Sequence, residues 1–282
     1  FDGLFTQGMV CHETYKDQNN NWISPDEITT INGKKLLKSD INKSVKVGPS
    51  ESMSKSKKNT IDPEKIINQY GADSVRLFIL SDSPPEKDVQ WSEEGIASSY
   101  KFIQKLWKLN LKITEEIEKE HTQNSSDEIE KFTNKFINKM TNNLENFHYN
   151  IIIANLHQMC SYLTKEIENS YKKVTLIENY KKILLAINPI LPHFSNECLQ
   201  LIGHKEELRW PSHDDKLLEE DIVTIVVQIN GKKRGMLNLK TNIEEEELIN
   251  TIKKNEKIFK YLKNEKIKKQ IFIKNKIINF II

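Results

Sequence analysis

The feature of this sequence that most restricts its fold is a change in the spacing of apolar residues near residue 210. From about residue 93 to residue 202, apolar side chains recur at helical spacing, as in Ile103, Leu106, Trp107, Ile113 and Ile117. Beyond Trp210-Pro211 the run Val223–Ile229 is typical of a strand, and Asn230-Gly231 is a strong hairpin signal. The change predicts a helical bundle followed by a separate small α/β domain.

The small domain is predicted to contain more than the hairpin. A returning strand is expected at Met236–Leu239, a single helix over residues 244–262, and two further strands at Gln270–Ile273 and Ile277–Ile282. The acidic run Glu244–Glu247 suits the start of that helix, where the macrodipole favours negative charge.

Before the bundle, the sequence shows a third pattern of predicted secondary structure. Residues 1–60 read as loops and short strands, and residues 63–80 read as two short helices. Asp62 and Pro63 suit the first helix start, Gly71 suits its end, and Asp73 is predicted to cap the second helix. The overall prediction is a multidomain α+β protein.

Composition narrows the functional classes. The three cysteines among 282 residues lie far apart, which predicts a reducing, cytoplasmic location and no structural zinc or other metal site. We find no apolar run long enough to span a bilayer, so no membrane contact is expected. The net charge is only +2, so any contact with nucleic acid must come from local basic patches.

The most informative short stretch is residues 52–60, which we name the lysine-rich loop. It reads Ser-Met-Ser-Lys-Ser-Lys-Lys-Asn-Thr and runs directly into the helix start at Asp62-Pro63. Ammonium groups beside a helix N-terminus form a site for polyphosphate. A solvated basic surface loop is the alternative interpretation of such a composition.

The order of residues in the loop and in the segment after it favours a polyphosphate site over a solvated surface loop. Met53-Ser54-Lys55-Ser56 resembles the KMSKS signature of class I aminoacyl-tRNA synthetases, with Ser52 in place of the first signature lysine. Further stretches resemble the leucyl, isoleucyl, valyl and methionyl branch, and several of them the leucyl enzymes in particular. These stretches are Phe5–Lys16, Asp62-Pro63, Tyr70–Phe78, Ser83–Ser92 and Val226–Gly235.

The resemblance covers essentially the whole chain and implies a domain plan. Residues 1–92 would form the end of a Rossmann-type catalytic domain with the KMSKS loop and stem-contact helices. Residues 93–211 would form a helical anticodon-binding-type bundle, and residues 222–282 a C-terminal α/β domain that binds tRNA. The chain would then be the C-terminal portion of a bacterial-type leucyl-tRNA synthetase. The HIGH motif and editing domain would precede Phe1, so the fragment alone is expected to be inactive.

The resemblance also implies site residues. Lys55 would act in catalysis, and ATP, with Mg²⁺, would contact Met53, Ser54, Lys55 and Ser56. The expected partners are leucine, ATP and tRNA(Leu), with a monomeric protein. The predicted tRNA contacts are the basic side chains of the loop, the hairpin and the tail: Lys57, Lys58, Lys232, Lys233, Arg234, Lys268 and Lys269.

Other readings stay open. A stand-alone, non-catalytic tRNA-binding module, or an isoleucyl or valyl enzyme, would share part of these features. His12-Glu13 lacks the second histidine of a zinc-protease motif, so a local structural role is expected. Packing or capping roles are likewise expected for the bundle histidines, and core or junction roles for three tryptophans: His148, His157 and His193, then Trp91, Trp107 and Trp210.

Overall fold

The computed structural model describes residues 3–118, 127–167, 173–218, 222–263 and 266–282. The chain divides into two compact units, Phe1–Asp214 and Asp215–Ile282. The sequence also predicts a polar connection over His121–Asp127, between the first two long helices, and all of it except Asp127 lies outside the described residues. The first unit spans the stretch where the sequence predicts two domains, and that finer division stays a prediction.

The first unit opens with two small sheets. Strand β1 (Val10–Lys16) pairs antiparallel with β5 (Lys46–Ser52) and parallel with the short β6 (Val89–Gln90). Between β1 and β5 the chain forms a separate antiparallel sheet of β2 (Ile28–Ile31), β3 (Lys34–Leu37) and β4 (Asp40–Ser44). Tyr15, Ile23 and Val45 form a small shared core there.

Two helices follow, and their ends were largely predictable. Helix α1 (Pro63–Tyr70) has Asp62 as its cap, whose carboxylate accepts a hydrogen bond from the Glu64 amide at 3.0 Å. Gly71, at φ 82°, separates α1 from α2 (Ala72–Ser81). The left-handed φ explains why glycine occupies that turn.

The prediction that Asp73 caps α2 is wrong. Asp73 lies inside the first turn of α2, and its buried carboxylate reaches a helix about 120 residues later in the chain. There it accepts hydrogen bonds from the backbone amide of Phe194 at 2.7 Å and from Nδ1 of His193 at 2.9 Å. Asp73 therefore caps the start of helix α7, because tertiary packing brings that unpaired amide within reach.

The bundle contains α3 (Glu93–Glu118), α4 (Asp127–Glu145), α5 (Tyr149–Glu166), α6 (Lys173–Ile187) and α7 (Pro192–Leu201). One continuous core joins them, with Leu106, Ile113 and Ile117 buried as the helical spacing predicted. Arg76 of α2 donates hydrogen bonds to the carbonyls of Pro189 and Ile190, in the interruption between α6 and α7. The helices α1 and α2 are thus tied to the bundle by polar contacts as well as packing.

The second unit is a four-stranded sheet carrying two helices. Its strands lie in the order β8 (Lys232–Lys240), β7 (Ile222–Ile229), β10 (Ile277–Ile281), β9 (Lys269–Ile273), with β10 parallel to β7. The apolar face of the sheet packs against α8 (Glu245–Lys254) and α9 (Glu256–Phe259). The single helix predicted over residues 244–262 is therefore two helices. Asn255 causes the break, since its side chain caps α9 by accepting from the Ile258 amide.

Among the described residues, no helix has the length and apolar character needed to cross a membrane. The same part of the chain contains no group of three or more histidine, cysteine, aspartate or glutamate side chains arranged to hold a metal ion.

Candidate functional site

The lysine-rich loop begins where β5 leaves the first sheet. Ser52, the last residue of β5, pairs with Cys11 of β1, and the Met53 amide donates to the Val10 carbonyl at 3.2 Å. The loop therefore starts from a hydrogen-bonded strand end. It rejoins regular structure at the capped N-terminus of α1, only a few residues later. Both ends of the loop are fixed by backbone structure.

Asn59, which the sequence did not single out, anchors the loop from inside. Its side chain is fully buried. The amide oxygen accepts from the Ser54 backbone at 2.8 Å, and the amide nitrogen donates to the carbonyls of His12 and Glu51, each at 3.2 Å. One side chain thereby closes the loop and ties it to both neighbouring strands. An asparagine is required because the site needs an acceptor and a donor together.

The three loop lysines differ in their surroundings. Lys57 forms an ion pair with Glu51 of β5, so that carboxylate already partly balances its charge. Lys55 and Lys58 are exposed, and within the described residues neither has a carboxylate partner. A single 3-10 turn at Lys55–Lys57 presents these side chains, and Lys58 follows it in the left-handed conformation at φ 53°. Lys55 is therefore available to an anion.

The hydroxyl groups of the loop lie beside Lys55. Oγ of Ser54 and Oγ of Ser56 are 2.8 Å apart. Two hydroxyls at this spacing can redirect their hydrogens to phosphate oxygens when a ligand arrives. The N-terminus of α1 offers fewer free amide groups to an anion than its position suggested, because the Asp62 carboxylate already accepts a hydrogen bond from the Glu64 amide. The positive charge of the site comes mainly from lysine.

Strand β1 carries a second polar group, and β1 pairs with β5, the strand that leads into the loop. Nζ of Lys35 donates to the Tyr15 hydroxyl at 2.6 Å and pairs with the Glu13 carboxylate, which also accepts from Tyr15 at 2.7 Å. The hydrogen bond from Lys35 holds the pKa of Glu13 below its usual range. Nδ1 of His12 donates to the Glu13 carbonyl at 2.8 Å, in line with the structural role expected for His12.

A cavity of about 780 Å³ in the first unit does not involve the loop. Its walls are mostly apolar and come from α1, α2, α3 and α7, with Tyr70, Trp107 and Phe194 among them. The chemistry that the sequence indicates and this cavity therefore lie at different places in this unit.

The predicted RNA-binding side chains of the second unit fall into separate groups. Lys232 and Arg234 line a polar cavity of about 460 Å³ together with Lys260 and Tyr261, and we name this site the basic pocket. Lys233, Lys268 and Lys269 are exposed but do not line it. Sequence inspection missed Lys260 and Tyr261, although an aromatic residue beside a lysine was the signal that could have found them.

Most of the histidines and tryptophans singled out in the sequence pack or form hydrogen bonds within the first unit. His193 pairs with Asp73, and the His157 ring lies 3.8 Å from the Phe102 ring between centroids. Burial lowers the pKa of His157, and the nearby Lys105 lowers it further. Trp91 packs edge-on against Phe78, and Nε1 of Trp210 donates to the Thr141 hydroxyl. His148 precedes α5 without a capping hydrogen bond, and Trp107 packs against the bundle core.

Comparison with known proteins gives two family matches. Residues 17–92 match the model for tRNA synthetases class I (I, L, M and V), and residues 126–250 match the anticodon-binding domain of tRNA ligase. The loop and strand β5 fall in the first match, whereas strand β1 precedes it. The chain is therefore similar to the class I tRNA synthetases of the I, L, M and V group.

Within that class the whole chain is similar to leucine–tRNA ligases. It is 39% identical to the leucine–tRNA ligase of Orientia tsutsugamushi (strain Boryong) over 100% of the chain and 34% of the relative. The corresponding protein of Bartonella quintana (strain Toulouse) is also 39% identical, with the same two coverages. The chain thus spans about a third of the length of these relatives.

A solved structure supports the fold. The crystal structure of the ternary complex of Agrobacterium radiobacter K84 agnB2 LeuRS with tRNA and LeuAMS superposes with a TM-score of 0.72 at 22% identity. The match covers 82% of this chain and 31% of that chain. The mixed α/β content predicted from the sequence is confirmed, and the matched part of the chain shares the fold of the corresponding part of that structure.

Proposed function

We propose that this chain is part of a leucine–tRNA ligase, a protein that activates leucine with ATP and transfers it to the 3′ end of tRNA(Leu). The observation that carries the proposal is similarity to leucine–tRNA ligases along 100% of the chain. The lysine-rich loop supports it, because the loop presents the residue types that the activation step needs.

Activation joins the leucine carboxylate to the α-phosphate of ATP and expels pyrophosphate. Negative charge grows on the leaving group, and a cation placed against it lowers the barrier. Lys55 is one of two exposed loop lysines without a carboxylate partner among the described residues, and it fits this role because Ser54 and Ser56 flank it as hydroxyl donors to phosphate oxygens. Asn59 holds the loop base in place, so the lysine side chain can move while its backbone stays anchored.

Magnesium is expected to accompany ATP, but the loop does not fit direct coordination of the ion. Its side chains are lysine, serine and methionine, whereas Mg²⁺ takes oxygen ligands with a strong preference for carboxylates and phosphates. The neighbouring carboxylate, Glu51, is paired with Lys57. We assign to this chain the phosphate contacts and no metal ligand.

The remaining parts are proposed to hold the tRNA. Residues 126–250 match an anticodon-binding domain, which supports a tRNA contact along the helical bundle and into the second unit. The proposed roles follow the domain plan given by the sequence. The end of the catalytic domain is residues 1–92, the anticodon-binding-type bundle is residues 93–211, and the C-terminal tRNA-binding domain is residues 222–282.

The test is ATP–pyrophosphate exchange in the complete reading frame that contains this chain, with leucine, isoleucine or valine as the amino acid. Exchange that depends on leucine, together with leucylation of tRNA(Leu), is the expected result. Exchange driven by isoleucine or valine would overturn the assignment. The 282-residue chain alone is expected to bind tRNA without catalysing exchange, since it spans a third of its relatives.

A further inference from the structure

The basic pocket of the second unit brings together cations from two distant segments. Lys232 and Arg234 come from β8, and Lys260 with Tyr261 comes from the turn that follows α9. Ile229, Asn230 and Ile282 complete the wall. The cavity is polar and holds about 460 Å³.

The register of the hairpin explains why two of three consecutive basic residues enter the pocket. Ile229, which is buried against the helices, pairs with Lys232, while Gln228 pairs with Lys233. Adjacent residues of a strand point to opposite faces, so Lys232 lies on the helix side and Lys233 on the other side. Lys233 is excluded from the pocket by this alternation.

Arg234 lies two residues after Lys232, so the same alternation directs it to the face of Lys232. Val227 pairs with Gly235 and Gln228 pairs with Lys233, so a β-bulge leaves Arg234 as an extra residue on β8. Gly235 also allows a close approach of α9, since a Cβ atom there would lie 2.5 Å from Cδ1 of Ile258. The helix and its following turn are thereby drawn towards Arg234.

Tyr261 organises the cations. The Arg234 guanidinium lies over its ring, 4.5 Å from the centroid, and the Lys260 ammonium lies 4.9 Å from the same centroid. Cation–π attraction holds both charges near one point without neutralising them. Within residues 222–263 and 266–282, the structure gives Lys232, Arg234 and Lys260 no carboxylate partner. Three unneutralised positive charges thus face one cavity.

We propose that the basic pocket binds a backbone phosphodiester of the tRNA, a refinement that rests on the proposed function. Arginine offers a forked set of donors that matches two phosphate oxygens, and the lysines add compact charge on either side. A stacked base fits less well, because cations already lie over the Tyr261 ring. The pocket is therefore a phosphate contact that positions the RNA and does not read its sequence.

The test measures binding of a tRNA(Leu) transcript to the 282-residue chain as a function of salt. Arg234→Gln and Lys260→Gln are each expected to weaken binding by about tenfold near 0.1 M salt and to reduce the slope of log K against log salt by about 1. Lys240→Gln is the matched control, since it removes the same charge from the far end of β8, outside the pocket. It is expected to leave the slope unchanged.

Two further variants and one competitor complete the experiment. Tyr261→Leu is expected to weaken binding because the cations lose their shared ring, whereas Tyr261→Phe keeps the ring and is expected to bind normally. Inorganic phosphate at millimolar concentration, with ionic strength held constant by chloride, is expected to leave the RNA bound. Complete displacement under these conditions would identify a small-anion site and overturn the proposal.

The outcomes separate the pocket from the proposed function. If the unmodified chain binds tRNA but Lys240→Gln weakens it as much as Arg234→Gln, the contact is a diffuse basic surface and the pocket is refuted. If the pocket variants all bind normally, the pocket is also refuted, while the proposed function stands. An unmodified chain without affinity for tRNA would refute the pocket, whereas the proposed function is decided by leucine-dependent exchange in the complete reading frame.

Discussion

The lysine-rich loop and the hairpin of the second unit look alike in sequence and differ in structure. Each is a short basic run that follows a strand. In the loop, one lysine is paired with Glu51, and the backbone is tied down by the buried Asn59 side chain. In the hairpin, Asn230 and Gly231 form a tight turn, and Arg234 lies over the Tyr261 ring, which Lys260 also contacts. Equal numbers of basic residues therefore do not mean equal availability.

The difference suggests two uses of positive charge. An exposed lysine on an anchored loop can strengthen its contact as charge develops in a transition state. Cations held on a rigid hairpin lose less conformational freedom on binding and are suited to a standing contact with an RNA backbone. Variants of the loop are expected to change the exchange activity strongly, and variants of the hairpin are expected to have smaller effects.

The largest effect is expected from Lys55→Ala in the complete reading frame. Loss of the cation on the leaving group should slow leucine-dependent pyrophosphate exchange by about 100- to 1,000-fold. Binding of tRNA should be nearly unchanged, because the basic pocket is intact. Lys58→Ala, which removes the other exposed loop lysine, is the comparison, and an equal loss there would deny Lys55 its particular role.

A smaller loss is expected from Asn59→Asp. The carboxylate replaces the amide donor and faces the carbonyls of His12 and Glu51, so the loop base should shift. Displacement of a catalytic group by a distance of order 1 Å can reduce rate by about 10- to 100-fold. Asn68→Asp makes the same chemical change on the exposed face of α1 and should leave exchange unaltered. Normal activity in the Asn59 variant would show that the anchor is dispensable.

The hairpin is tested by Gly231→Ala. Gly231 has φ 74°, and an L-residue in this left-handed region costs about 1 kcal/mol more than glycine. Backbone amides of β7 and β8 should then exchange with solvent about fivefold faster, as read by hydrogen–deuterium exchange. Gly231→Asn should show a smaller change, because asparagine tolerates this conformation better. Unchanged protection in both would contradict a rigid turn.

The smallest effect is expected at the bundle cysteines, which report whether any variant has disturbed the fold. Burial raises the pKa of the Cys198 thiol to about 12 and raises the pKa of Cys160 as well. At pH 8 about one Cys198 in ten thousand would be the reactive thiolate, and the fraction grows as pH rises towards the pKa.

Ellman's reagent should therefore fail to label Cys160 and Cys198 in the native chain and in the Asn59 and Gly231 variants alike. Rapid labelling of either thiol at pH 8 would mean that the bundle opens. In that case an activity change in the same variant could not be assigned to the loop or to the hairpin alone.

Much of the fold could be predicted because its causes are local. Apolar spacing at 3.6 residues placed the bundle helices, Asn-Gly placed the hairpin, and Asp62-Pro63 placed the start of α1. The helix predicted over residues 244–262 was wrong at Asn255, where a local cap competes with helix continuation. The lysine-rich loop was also visible at this level, because its residues adjoin one another.

The sequence by itself determined the similarity to class I synthetases, the order of the long helices and of the C-terminal strands, and the position of the lysine-rich loop. Only the tertiary structure decided that Asp73 caps α7, that Asn59 bridges two strands to the loop, and that Lys232 and Arg234 meet Lys260 while Lys233 does not. Periodicity, turns and caps act over a few residues, whereas these contacts join groups that lie far apart in the chain.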